Sequence, residues 1–412
     1  MISLKKEKPK NKIVVKKAIM KWARESIGLS IEAVSEKSKI DIEELRKWED
    51  VDSEVKISDL KKLAKTEKRT LSFFFLNNPP TINPIPRDFR TLDSVNVETL
   101  SPKVRLAIRK AQRNRKFYAY LLEVTKSEFV KLKPISFNSN PTELAGEFRK
   151  YLNISIEEQK GWKSEGFAFN RWIDIIEGSG IPVFQLPFPK QEIRGFCLRE
   201  DSLPPVIVLN AGDAIRGRIF TLFHEFYHLL LSQKDIDSLV FSKGEKLAHK
   251  LIEIKANEFA GSFLVPNEDF LGNEYVKKYL VTKDDRLVTN LVYLYKVSGE
   301  VIYRKFVNHG YMSEREYEMK RVELQKWYER EELRKRKKAE EKGQKFVPDY
   351  YRDIVKSSSY DLSQKAFAAA AKGVISTNEL VTFLNVKLAG LEKVIDKTNQ
   401  HYAQIKPPSH QQ

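Results

Sequence analysis

Cysteine is nearly absent from this chain: one residue, Cys197, in 412. A single thiol excludes an intrachain disulfide framework and suits a reducing compartment, so a cytoplasmic protein is expected. Long apolar runs are missing as well. None approaches the ~20 residues that a membrane helix needs, and no membrane association is expected. The opening stretch MISLKKEKPKNKIVVKKAIM is basic, but it lacks a long apolar centre and a small-residue cleavage site, so no secretory signal is expected. Histidine is scarce too, at six residues, which makes the placing of each one informative.

What is present is a globular composition, 41% hydrophobic, 11% aromatic and 31% charged, and a length that suits two or three domains. The net charge of +17 is concentrated in three places. Residues 1–21 hold eight Lys against one Glu. Lys103, Arg105, Arg109, Lys110, Arg113, Arg115 and Lys116 form a second cluster, and residues 334–338 a third. Each can meet phosphates or stay a solvated face.

Two of the six histidines fall in His224-Glu225-Phe226-Tyr227-His228, an HExxH pattern. Helical periodicity through Ile219, Phe223, Phe226 and Leu230 predicts a helix from about residue 216 to 231. Histidines four apart share a helix face and can reach one ion. Zn²⁺ takes two His and one carboxylate and keeps a position for water, whose proton Glu225 can accept. The third ligand must come from elsewhere. Glu253 and Asn257 share a face of a second predicted helix, and His249 stands four residues before Glu253. Glu258 points away from that face and is expected to be solvated.

Upstream, residues 16–76 read as short helices joined by tight turns. Ser30 and Asp41 are expected to cap two of them and Ser58 a fourth, with Leu60, Leu63 and Ala64 in the core. Trp22-Ala-Arg-Glu…Gly28-Leu-Ser, Leu45-Arg-Lys-Trp48-Glu49 and Leu60-Lys-Lys-Leu63-Ala64 resemble the XRE-type helix-turn-helix domain. In that motif the start of the second helix enters the major groove. Here the start carries Asp41, Glu43 and Glu44, with Lys39, Arg46 and Lys47 the favourable charges. Those carboxylates would repel phosphates, so two readings stay open: DNA contact through the basic arm together with the motif, and a bundle used for protein contacts.

Short β signals lie at 182–186, 193–198 and 206–210, and the edge near 193–210 can pair with an extended peptide. Phe220-Thr-Leu-Phe-His-Glu-Phe-Tyr-His-Leu-Leu-Leu231, then Glu253-Ile-Lys-Ala-Asn-Glu-Phe-Ala260…Leu264-Val-Pro266, resembles the ImmA/IrrE family of zinc metallopeptidases. The stretches Arg194-Gly-Phe, Ile207-Val-Leu-Asn210 and Val297-Ser-Gly-Glu-Val-Ile302 fit the same family. The resemblance implies His224, His228 and Glu253 as zinc ligands, Glu225 as general base, and a repressor or antitoxin as the protein cleaved. Tyr227 stands where relatives often have Gly; it is expected to pack, with an oxyanion-binding phenol as the other use.

The fold class expected is α+β: a helix-turn-helix bundle, a mainly helical zincin-like domain with a small antiparallel or mixed sheet, and a helical C-terminal module. The segments are a basic arm (1–15), the XRE-like bundle (16–76), a Pro-rich connector with a basic helix (77–135), the HExxH domain (136–310), a charged helix (311–345), the C-terminal module (346–397) and a disordered tail (398–412). The function expected is a zinc endopeptidase acting on a regulatory protein. The alternative is a DNA-binding or toxin–antitoxin regulator whose metal site is not catalytic.

Overall fold

The computed structural model describes residues 11–80, 100–200, 202–341 and 349–405. It is mainly helical, with two small sheets. Among the described residues no helix is long and apolar enough to cross a membrane. The chain divides into two compact units, 1–90 with 94–110, and 91–93 with 111–412.

The first unit contains β1 (Lys12–Val15), α1 (Lys17–Glu25), α2 (Ile31–Ser38), α3 (Ile42–Asp50), β2 (Ser53–Lys56), α4 (Ile57–Thr66) and a 3₁₀ turn, Leu71–Phe75. Ile19, Ala23, Val34, Leu45, Leu60, Leu63 and Phe74 form its core. Ser30 Oγ accepts the Ala33 N–H at 3.2 Å, and Asp41 Oδ1 accepts those of Glu43 and Glu44. Both capping expectations hold. Ser58 does not cap α4, which starts one residue earlier and has no side-chain cap. Asn11, the residue before β1, supplies the partner there: its carbonyl takes the Ile57 N–H at 3.0 Å.

That strand also corrects the reading of residues 1–15 as an arm. Residues 12–15 pair antiparallel with β2, Lys12 opposite Lys56 and Val15 opposite Ser53. Residues 1–10 lie outside the described residues. On α3, Arg46 reaches Glu43 at 2.7 Å and Glu32 of α2 at 3.8 Å, so its charge is shared with one carboxylate from each of the two helices.

The second unit starts within α5 (Pro102–Val124) and continues through α6 (Pro141–Tyr151), α7 (Ile156–Gly161) and α8 (Glu165–Gly178). Next come β3 (Val183–Leu186), β4 (Gly195–Glu200) and β5 (Leu203–Asn210), then α9 (Ile215–Leu230), α10 (Gln233–Lys243) and α11 (Glu245–Leu264). The chain goes on through α12 (Asn267–Gly272), α13 (Glu274–Thr282), α14 (Asp285–Tyr295), α15 (Gly299–Asn308) and α16 (Glu314–Glu341). It closes with α17 (Tyr350–Ser358), α18 (Tyr360–Ala371), α19 (Thr377–Leu384) and α20 (Leu391–Ile405).

The sheet order is β3-β5-β4, with β3 parallel and β4 antiparallel to β5. The 203–210 segment is therefore the central strand, and only β4 supplies the edge expected near 193–210. Seven consecutive residues of β5 are buried, which requires cover on both faces. α9 packs on β4 and β5, and α17 on β3. Trp172 stands edge-on to Trp162 and Phe223, at 4.7 and 4.9 Å, while Phe223 stacks on Phe263 at 4.1 Å. These rings join α8, α9 and α11.

Part of the second basic cluster is engaged by backbone carbonyls, while Lys103 and Lys116 stay exposed. Arg115 is buried and donates to the carbonyls of Pro204 and Leu203, Arg113 to that of Phe383, and Asn114 to that of Ser357. The charged helix and the C-terminal helices fall in the same compact unit as the sheet. Glu177, at the end of α8, accepts the N–H groups of Val183 (3.2 Å) and Asp361 (2.9 Å). The tail expectation needs correction: α20 continues to Ile405, with Thr398 and His401 buried and His401 stacked on Tyr360. Residues 406–412 lie outside the described residues.

Candidate metal centre

α9 buries Ile219, Leu222, Phe223, Phe226, Leu229 and Leu230 and turns His224 and His228 to the edge of that face. Four residues apart, they hold their Nε2 atoms 3.1 Å from each other. α11 brings Glu253 to the same point. Its Oε2 lies 3.2 Å from His224 Nε2, and its Oε1 lies 3.2 Å from His228 Nε2. Two buried chain interactions fix the end of α11. The Arg149 guanidinium donates to Phe263 O and Gln159 Nε2 to Leu264 O, both carbonyls of its last turn.

The three candidate ligand atoms lie within 4.8 Å of one another. Ligands about 2.0–2.1 Å from one tetrahedral ion stand roughly 3.3 Å apart, and the observed separations are close to that spacing. Two imidazole nitrogens and one carboxylate suit a divalent ion with an open position. Asn257 Oδ1 lies 3.1 Å from His224 Nδ1. Asn257 Oδ1 can accept a hydrogen bond from His224 Nδ1–H, and in that tautomer the Nε2 lone pair faces the cluster. His249 is buried and is not part of the cluster.

Glu225 is 3% exposed. It lies under β4, where a Cβ on Gly195 would stand 3.4 Å from Glu225 Cγ and 2.5 Å from Thr221 Cγ2. The Cys197 thiol hydrogen-bonds it, and its Oε2 has no partner among the described residues. Burial pushes the Glu225 carboxyl above its ordinary range, while His224 and His228 pull it back. Burial would also raise Glu253, but hydrogen bonds from His224 and His228 outweigh it and hold that carboxyl well below the usual range. For His224, burial opposes the charged form, and the bond to Glu253 overcomes it, so its pKa is raised.

Two expectations around the motif resolve differently. Tyr227 is fully buried, 5.5 Å from the Phe259 ring, which makes it a core residue. Its phenol is pushed up to about 12, chiefly by burial. Glu258 is half-buried, with Thr142 Oγ1 at 3.4 Å, and is not the solvated residue expected. Sequence reasoning missed Arg199 on β4, which donates to the carbonyls of Leu229 (2.9 Å) and Leu231 (2.5 Å) at the end of α9. No local pattern announces a contact across thirty residues.

No curated protein and no solved structure matches the chain. Residues 176–306, from the end of α8 through most of α15, match the model of the M78 peptidase family, described as the IrrE N-terminal-like domain, and this stretch holds all three candidate ligands, Glu225 and the sheet.

Proposed function

We propose that this chain is a zinc-dependent endopeptidase that cleaves a regulatory protein, such as a transcriptional repressor or an antitoxin. The observation that carries the reading is the convergence of His224, His228 and Glu253, with the buried Glu225 between them and an edge strand. His224, His228 and Glu253 would hold the ion, which when bound supplies Lewis acidity to the scissile carbonyl and to water. Glu225 takes the proton of the attacking water and returns it to the leaving amine. Asn257 keeps His224 in the ligating tautomer. β4 aligns an extended peptide by strand addition.

The test is metal content by mass spectrometry on the untagged chain, alongside hydrolysis of a quenched-peptide library. The expected result is about one zinc per chain, lost in His224→Ala and Glu253→Gln and retained in Glu225→Gln, which does not cut. A parent that binds no zinc even when refolded with it overturns the reading.

A second reading, a DNA-binding regulator with a non-catalytic metal site, rests on α2 and α3, two capped helices joined by the turn at residues 39–41. It requires operator-length DNA to be retarded by the chain, and biological activity to survive Glu225→Gln.

A further inference from the structure

Three alternate residues of β4 meet successive turns of α9. A Cβ on Gly195 would lie 2.5 Å from Thr221 Cγ2, the Cys197 thiol bonds Glu225, and Arg199 bonds the carbonyls of Leu229 and Leu231. Residues i, i+2 and i+4 of a strand share one face and rise about 6.6 Å per step. Four residues of helix rise about 6 Å. The strand and the helix therefore run in the same sense, with contacts at Thr221, Glu225 and Leu229; the β4–β5 pairing shifts register between Leu198 and Glu200, so Arg199 reaches the end of α9 from an irregular point of the strand.

The two ends of this seam do different work. At Gly195 the backbones approach so closely that a methyl would also stand 2.9 Å from Val208 O, a backbone atom of β5 that cannot swing aside. At Arg199 a cation meets the negative end of the α9 dipole and fills carbonyls left without helical partners. From the outer side, Arg115 holds the β4–β5 hairpin by the carbonyls of Leu203 and Pro204.

We infer that Arg199 and Gly195 are positioning residues that lock the edge strand in register with α9, so that a peptide paired to β4 presents its scissile bond beside Glu225. This rests on the peptidase reading for its consequence, but the lock itself does not. Neither residue is among the candidate ligands, which come from α9 and α11, so metal binding should survive its loss.

The experiment uses the full chain, loaded with zinc, as parent, Arg199→Met, Arg199→Lys and Gly195→Ala. Amide hydrogen exchange across 195–200 reads the lock directly. Hydrolysis of the quenched-peptide library per bound zinc reads its consequence. The expected result for Arg199→Met is exchange at least 10-fold faster in β4, zinc unchanged, and kcat/KM per bound zinc down at least 10-fold, mainly in kcat. Arg199→Lys, which keeps a donor and the charge, should recover most of that loss. Unchanged exchange in Arg199→Met overturns the lock, and faster exchange with undiminished activity per zinc overturns the positioning role. A zinc-loaded parent that cuts no peptide sinks the peptidase reading and the positioning role, while exchange still decides the lock. If Gly195→Ala fails to fold, the two Arg199 variants still decide the proposal.

Discussion

Among the described residues two glutamates are buried in the second unit, Glu225 beside the histidines and Glu177 at the end of α8, and they are provided for in opposite ways. Glu177 receives two backbone N–H groups and the Ser359 hydroxyl, so it ties α8 to β3 and to the start of α18. Glu225 has the Cys197 thiol on one side and an orphaned Oε2 on the other. A buried carboxyl group whose oxygens are engaged is cement. One left short, next to convergent imidazoles, is poised for a partner that the chain alone does not provide.

The sharpest break of this comparison comes from neutral isosteres. Glu225→Gln should lower peptide hydrolysis on the order of 10²–10⁴-fold, the range of a lost general base, with little change in melting temperature. Steady-state kinetics beside calorimetry checks both. Glu177→Ala should do the reverse: lose about 2–4 kcal/mol in urea unfolding, because two buried N–H groups lose their acceptor, and keep its zinc and its activity per folded chain. If the two variants behave alike, the contrast is wrong.

The pH dependence of stability sharpens it further. Burial raises the Glu177 carboxyl to about 8, despite the donors that oppose the shift. The folded value lies above the unfolded one. Its contribution is therefore complete below the unfolded pKa, near 4.5, and is lost as pH rises through about 8, by at most about 1.4 kcal/mol per pH unit. Urea midpoints at pH 5 and 8.5 should differ less in Glu177→Gln than in the parent. The smallest effect expected is Tyr227→Phe. The phenol oxygen has no partner among the described residues, so its removal should change stability by no more than about 1 kcal/mol, in the stabilising direction, and leave kcat unchanged. A kcat drop above 10-fold would restore the oxyanion role.

Local chemistry was legible in the sequence wherever one segment decides the outcome. The caps at Ser30 and Asp41 and the helical phase of His224 and His228 follow from residues within four positions of each other. Long-range pairing was not. The β1–β2 sheet joins residues about forty apart, and Lys12-Ile-Val-Val15 looks like part of a charged arm until Ser53–Lys56 is brought beside it. Arg113 and Arg115 read as phosphate contacts or a solvated face because the sequence does not reveal the carbonyls that they meet. Glu253 was reached through family likeness, since spacing alone left Asn257 and His249 open as alternatives.

Between the two ligand-bearing helices lies α10, none of whose eleven residues is buried and whose Phe241 is 95% exposed. Natural selection can rewrite such a segment without disturbing the core. The helix falls on the connection between His228 and Glu253, starting five residues after the one and ending ten before the other. The exposed link is thus free of the packing that constrains α9 and α11, the helices that carry the candidate ligands.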